Sequence, residues 1–212
     1  MNEAKIRLSN FEMDLVQNSN WILTKRVIID KVYNLFGMLA GEYVSLVKNC
    51  GNQFPLNISS VPPKISKGEN YHGLPYVVLD YPRFFDKENS FAVRTFFWWG
   101  NFFSSTIQVK GEYKKLFAER LYNSYSFLSE NNYCICVSDD EWDFRFDENN
   151  FKPVKNLEIS DWEKIVYRMD FVKLSVFISL SKWNEMPGLL SGYFKKNMLA
   201  AGISFQDDEI IL

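Results

Sequence analysis

Phe91-Ala92-Val93-Arg94-Thr95-Phe96-Phe97-Trp98-Trp99-Gly100-Asn101-Phe102-Phe103-Ser104-Ser105-Thr106-Ile107-Gln108-Val109-Lys110 is the most legible part of this chain, because two β-favouring runs flank a Gly-Asn pair. Such a stretch predicts a β-hairpin. With Gly100 and Asn101 as the two turn residues, Trp99 pairs with Phe102, Trp98 with Phe103, Phe97 with Ser104, Thr95 with Thr106 and Arg94 with Ile107. Alternation then divides the hairpin into two faces. Ala92, Arg94, Phe96, Trp98, Phe103, Ser105, Ile107 and Val109 form the mostly apolar face expected under helices. Val93, Thr95, Phe97, Trp99, Phe102, Ser104, Thr106 and Gln108 form the other, aromatic at one end and rich in hydroxyl and amide groups at the other. A one-residue shift of the turn would move this pairing.

Arg94 is the odd member of the expected core face. Its guanidinium needs a carboxylate or several acceptors if it is buried, and Asp80 on the preceding strand Tyr76–Tyr81 is the best candidate. Asp80 and Arg94 therefore read either as a structural ion pair or, with Arg83, as an anion site that binds a carboxylate or phosphate bidentately. Pro82 is expected to close the strand.

Upstream, apolar residues recur at helical spacing from Trp21 to about Lys48 through Ile22, Ile29, Val32, Phe36, Leu39, Tyr43 and Val47, which predicts a long amphipathic helix. Gly37 and Gly41 lie four apart on it. They read as a close packing contact within the subunit or as the seam of a homodimer. Residues 49–74 hold prolines and glycines amid Asn and Ser, and predict a long loop without regular structure, ending at the single histidine, His72.

Downstream, Glu112 to Ser129 reads as a second helix, and Tyr133–Val137 with Trp142–Phe146 as a second hairpin around Ser138-Asp139-Asp140-Glu141. Ser160-Asp161-Trp162-Glu163 has the capping-box pattern and predicts a helix to about Met169. Residues from Val172 to Ser181 alternate as a half-exposed strand, and a last helix runs from about Asn184 to Gly202. Hairpins interspersed with helices, without regular strand-helix-strand alternation, argue for an α+β fold with a mostly antiparallel sheet and helices mainly on one face. The 212 residues suffice for a single domain over 1–212, the alternative division being 1–130 and 131–212.

A net charge of −2 supplies no long-range field to gather duplex nucleic acid. The start, Met1-Asn2-Glu3-Ala4-Lys5-Ile6-Arg7, lacks the apolar run of a secretory signal, and no segment is long and apolar enough to span a membrane, so a cytoplasmic protein is expected. Cys50, Cys134 and Cys136 make an odd count suited to buried free thiols in a reducing compartment. One histidine and no second cysteine pair leave a zinc site without ligands, and no phosphate loop, nucleophile elbow, dinucleotide fingerprint or calcium loop is present. No metal or cofactor is expected.

Two functional readings follow. In the first, the chain is a non-enzymatic module that binds a small molecule or a protein on the aromatic sheet face, through Thr95, Phe97, Trp99, Phe102, Ser104 and Thr106, with His72 and Arg83 beside it. In the second, it is a small enzyme acting on an anionic molecule in a cleft near His72, Asp80, Arg83 and Arg94. An exposed aromatic patch favours the first, and a wet pocket with a displaced pKa the second.

Overall fold

In the computed structural model, which describes residues 6–205, the hairpin forms between β3 (Ser90–Trp98) and β4 (Phe102–Lys110), and its reversal takes three residues rather than two. Trp98 pairs with Phe102, Phe97 with Phe103, Thr95 with Ser105 and Arg94 with Thr106. The cause lies in the loop. The Trp99 N–H donates to Pro75 O in the adjacent strand β2 (Leu74–Phe85) at 3.0 Å, the Asn101 N–H donates to Trp98 O at 3.0 Å, and Gly100 alone in the loop has a positive φ, 72°. Glycine at the third position of an i→i+3 turn is the type II arrangement, whereas a two-residue type I′ hairpin requires positive φ at Asn101 as well. The slip exchanges the β3 members of the two expected faces. Val93, Thr95 and Phe97 lie with Phe103, Ser105 and Ile107, while Arg94, Phe96 and Trp98 lie with Phe102, Ser104 and Thr106.

This hairpin is the centre of a seven-stranded sheet of order β1-β2-β3-β4-β7-β5-β6, antiparallel throughout, with β1 at Lys64–Tyr71, β5 at Cys134–Cys136, β6 at Phe151–Pro153 and β7 at Phe171–Ser179. β1 corrects the expectation of an unstructured loop to residue 74. Lys-Ile-Ser-Lys-Gly-Glu-Asn-Tyr has little strand character of its own and is recruited by pairing along β2. β2 in turn runs past Pro82, which falls at a register shift between Asp80 and Arg83, where the ladder needs no donor from proline.

Helices cover one face, giving the α+β class. The 31-residue α2 (Ser19–Asn49) buries Ile29, Val32, Phe36, Leu39, Tyr43 and Val47 against it, as their spacing predicts. Beside it lie α4 (Glu112–Asn123), α5 (Tyr125–Glu130), α6 (Ile159–Arg168) and α7 (Met186–Ala200), with the single turn α3 (Leu56–Ser59) after α2 and the short α1 (Asn10–Gln17) before it. The helix expected from Glu112 to Ser129 is broken at Ser124, whose hydroxyl donates to Arg120 O and Ala200 O. The expected capping box is likewise absent: α6 begins two residues earlier, with Glu158 rather than Ser160 at its N-cap and no side-chain cap. Gly202, at φ 68°, takes the left-handed position beyond α7.

The second hairpin is corrected as well. β5 pairs with β6 and β7, and residues 137–150 form an irregular strap over the sheet's other face. Asp140, Asp143 and Asp147 each accept from the backbone N–H two residues on, at 2.8, 2.9 and 3.0 Å, and these Asx turns divert amides that a strand would place in a ladder. With helices on one side and the strap on the other, β7 is buried almost throughout rather than half exposed.

Candidate functional site

The strap covers the sheet face that carries Arg94, Phe96, Trp98, Phe102, Ser104 and Thr106. Phe144 seats its ring 5.8 Å from Phe96, and the Phe144 N–H donates to the Tyr71 hydroxyl at 2.7 Å. Burial pushes that phenol up to about 12. Glu141 accepts from Lys110 at 2.8 Å, and Lys173 of β7 is fully buried, its Nζ donating to the backbone carbonyls of Asp140, Glu141 and Asp143 at 3.2, 3.2 and 2.6 Å. Burial lowers the Lys173 pKa, the more so because no carboxylate bonds to it directly. Three carbonyls and the Phe144 and Phe151 rings, 4.7 and 5.2 Å away, solvate the ammonium in place of water.

Asp80 and Arg94 meet across β2 and β3 as a bidentate pair, Nε to Oδ1 at 2.7 Å and Nη2 to Oδ2 at 2.9 Å. Arg94 faces the strap, not the helices as expected, because of the register slip. Both carboxylate oxygens are engaged, so neither residue is left open to an anion. Arg83 Nε donates to Pro62 O at 3.3 Å, and His72 sits exposed in the β1–β2 turn, its ring 4.8 Å from Tyr71.

The residues expected on one aromatic platform are thus divided. Thr95 and Phe97 point into the helix layer, where Thr95 Oγ1 lies 3.3 Å from the Tyr43 hydroxyl and Phe97 packs edge-on to Trp183. Trp99 leaves the strand and sets its ring 6.2 Å from Trp21. Phe102 contacts Phe177 under the strap side, Thr106 shares a 2.7 Å hydrogen bond with Ser175, and the fully buried Ser104 hydroxyl has no hydrogen-bond partner. Thr95, Phe97, Ser104 and Thr106 are all buried.

A different surface is open. α1 buries no residue, and α2 buries none before Ile29. More than half of the exposed large apolar side chains in the described residues fall between Ile6 and Val27, with Phe11 71% and Val16 70% accessible. Both helices are nonetheless well formed. Ser9 and Glu12 make a full capping box on α1, and Asn18 Oδ1 accepts from Trp21 N–H at 3.3 Å to start α2. The elbow at Asn18 leaves a cleft of about 530 Å³ lined by Leu15, Val16, Trp21 and Ile22 among others.

Sequence reasoning assigned Trp21 and Ile22 to the core stripe of α2 and missed α1. The signal was present in Ser9-Asn10-Phe11-Glu12, a capping-box spacing ahead of apolar residues.

No family model matches the chain, and the searches of curated proteins and of solved structures found no match. Among the described residues no helix is long and apolar enough to cross a membrane, and no group of three or more His, Cys, Asp or Glu side chains is placed to hold a metal ion. The expectation of no leader rests in part on residues 1–5, which lie outside the described residues.

Proposed function

We propose that this chain is a protein-interaction module whose working surface is the N-terminal arm, residues 6–28, in place of the aromatic sheet face. One observation carries the reading: a dense set of apolar side chains is held in solvent on the capped helix α1, which buries no residue, and on the capped start of α2, which buries none before Ile29. Exposed apolar surface concentrated in this way marks a docking site, whereas scattered single residues do not. The sheet face offers less, because its hydroxyls and rings are occupied by the strap or by the helices.

The enzymatic reading has less support. Both Asp80 carboxylate oxygens are taken by Arg94, and Arg83 directs its Nε to a backbone carbonyl. A photo-crosslinking amino acid at Leu23 on the arm, with Leu116 on α4 as an equally exposed control, tests the proposal in cells that make the protein natively. Protein adducts specific to Leu23 are expected. Equal labelling at both positions would remove the arm as the working surface.

A further inference from the structure

This inference rests on the arm being the working surface, and it names what sits there. We infer that the arm docks on the arm of a second copy of this chain, in a two-fold contact.

Charge supports a self-complementary fit. α1 carries Glu12 and Asp14 and no basic residue, while the exposed start of α2 carries Lys25, Arg26 and Lys31 against Asp30. Lys25 is paired with Glu69 of its own chain, but Arg26 and Lys31 make no ion pair among the described residues. In a two-fold contact a residue pair that meets once meets twice, so one copy's α1 lying along the other's α2 places acid against base at both ends. The acidic α1 also argues against an anionic lipid surface, which selects basic amphipathic helices.

Shape supports it too. The arm carries both a projecting ring, Phe11, and an apolar cleft in the elbow, lined by Leu15, Val16, Trp21 and Ile22. Knob and hole on one patch allow two copies to fill each other. Leu23 and Val27 add a second exposed apolar row on the outer side of α2. On that side Gly37 and Gly41 follow, and a Cβ on either would meet nothing within 4 Å, so the expected packing of these glycines inside the subunit is corrected: both lie on uncovered helix surface.

Sedimentation of the full chain across low to high micromolar concentrations tests the inference. A species of twice the 25.0 kDa chain mass is expected. Val16→Asp with Leu23→Asp should leave the circular dichroism unchanged, because both residues are exposed, and give a monomer. Asp14→Lys should weaken the dimer about tenfold by reversing one exposed pair twice, and mixing it with Arg26→Glu should restore the association. A wild-type chain that stays monomeric at every concentration overturns the inference, and so does a dimer indifferent to these variants. Two further outcomes separate this failure from that of the underlying reading. A monomer that crosslinks through Leu23 to a different protein removes only the second copy. A monomer that co-sediments with phosphatidylcholine–phosphatidylglycerol vesicles removes both.

Discussion

Arg94→Ala should cost the protein about 4 kcal/mol. The guanidinium makes two charge-assisted hydrogen bonds to Asp80, with side-chain exposures of 15% and 10%, so solvent screens the pair weakly. Truncating one member of such a pair strands a carboxylate among strap and sheet and is worth about 3–5 kcal/mol. The Arg94 guanidinium also lies 4.8 Å from the Phe144 ring and 5.6 Å from Trp142, contacts worth about 0.5–1 kcal/mol each at sites of this kind. Much of the loss is the penalty on the abandoned Asp80 rather than the worth of the bridge itself. Asp80→Leu combined with Arg94→Met should therefore recover most of it, ending within about 1 kcal/mol of wild type. Urea unfolding followed by tryptophan fluorescence, with a constant m-value, measures all three proteins. A cost below about 1 kcal/mol for the single variant, or a double variant no better than the single, would refute the assignment.

Ser104→Ala should be neutral or stabilise by about 1 kcal/mol, since it removes a buried hydroxyl without a partner, and a clear loss in the same urea assay would mean that the hydroxyl is bonded. Burial pushes the Cys50 and Cys134 thiols to about 11, so a disulfide reagent at pH 8 should label neither until denaturant is added; rapid labelling of the native chain would contradict their placement. For Lys173 the folded pKa lies below the unfolded one, so between the two values the unfolded chain binds more protons, and this residue's contribution to stability rises with pH towards the ordinary lysine range and is lost as pH falls through the lowered value. The buried phenols of Tyr43 and Tyr71 act in the opposite direction, so the test compares wild type with Lys173→Met at pH 7 and pH 9.5. The difference should shift in favour of wild type at the higher pH, and a pH-independent difference would show that Lys173 does not titrate abnormally.

The long helix was legible because burial in α2 follows one stripe from Ile29 to Val47 at regular spacing. The hairpin was legible as an element but not in register. Whether Trp99 joins the ladder depends on its amide reaching Pro75 O, a contact 24 positions away that no local pattern encodes. Asp80 and Arg94 could be matched because a charge on an apolar strand demands a partner and the adjacent strand offered one carboxylate. β1 and the strap were hidden for opposite reasons. Lys64–Tyr71 becomes a strand only because β2 has a free edge, and Trp142–Phe146 alternates like a strand but its aspartates take the amides. The arm was hidden because an apolar position in a sequence does not say what will cover it.

The direction of the arm's side chains decides between an unfinished core and an outward surface. At 100° per residue, Leu23 and Val27 lie on the side of α2 opposite the stripe of Ile29, Val32 and Phe36, so no extension of the sheet or its helix layer could bring them inside. α1 does not screen them either, because the chain breaks helical geometry at Asn18, with φ −89° and ψ 83°, and opens the elbow. An eight-residue helix is marginal in water, and caps worth about 1 kcal/mol each do not by themselves hold it. A capped helix that buries none of its residues, next to Leu23 and Val27 aimed away from the core, is what the proposed docking surface requires and what an unfinished core would not produce.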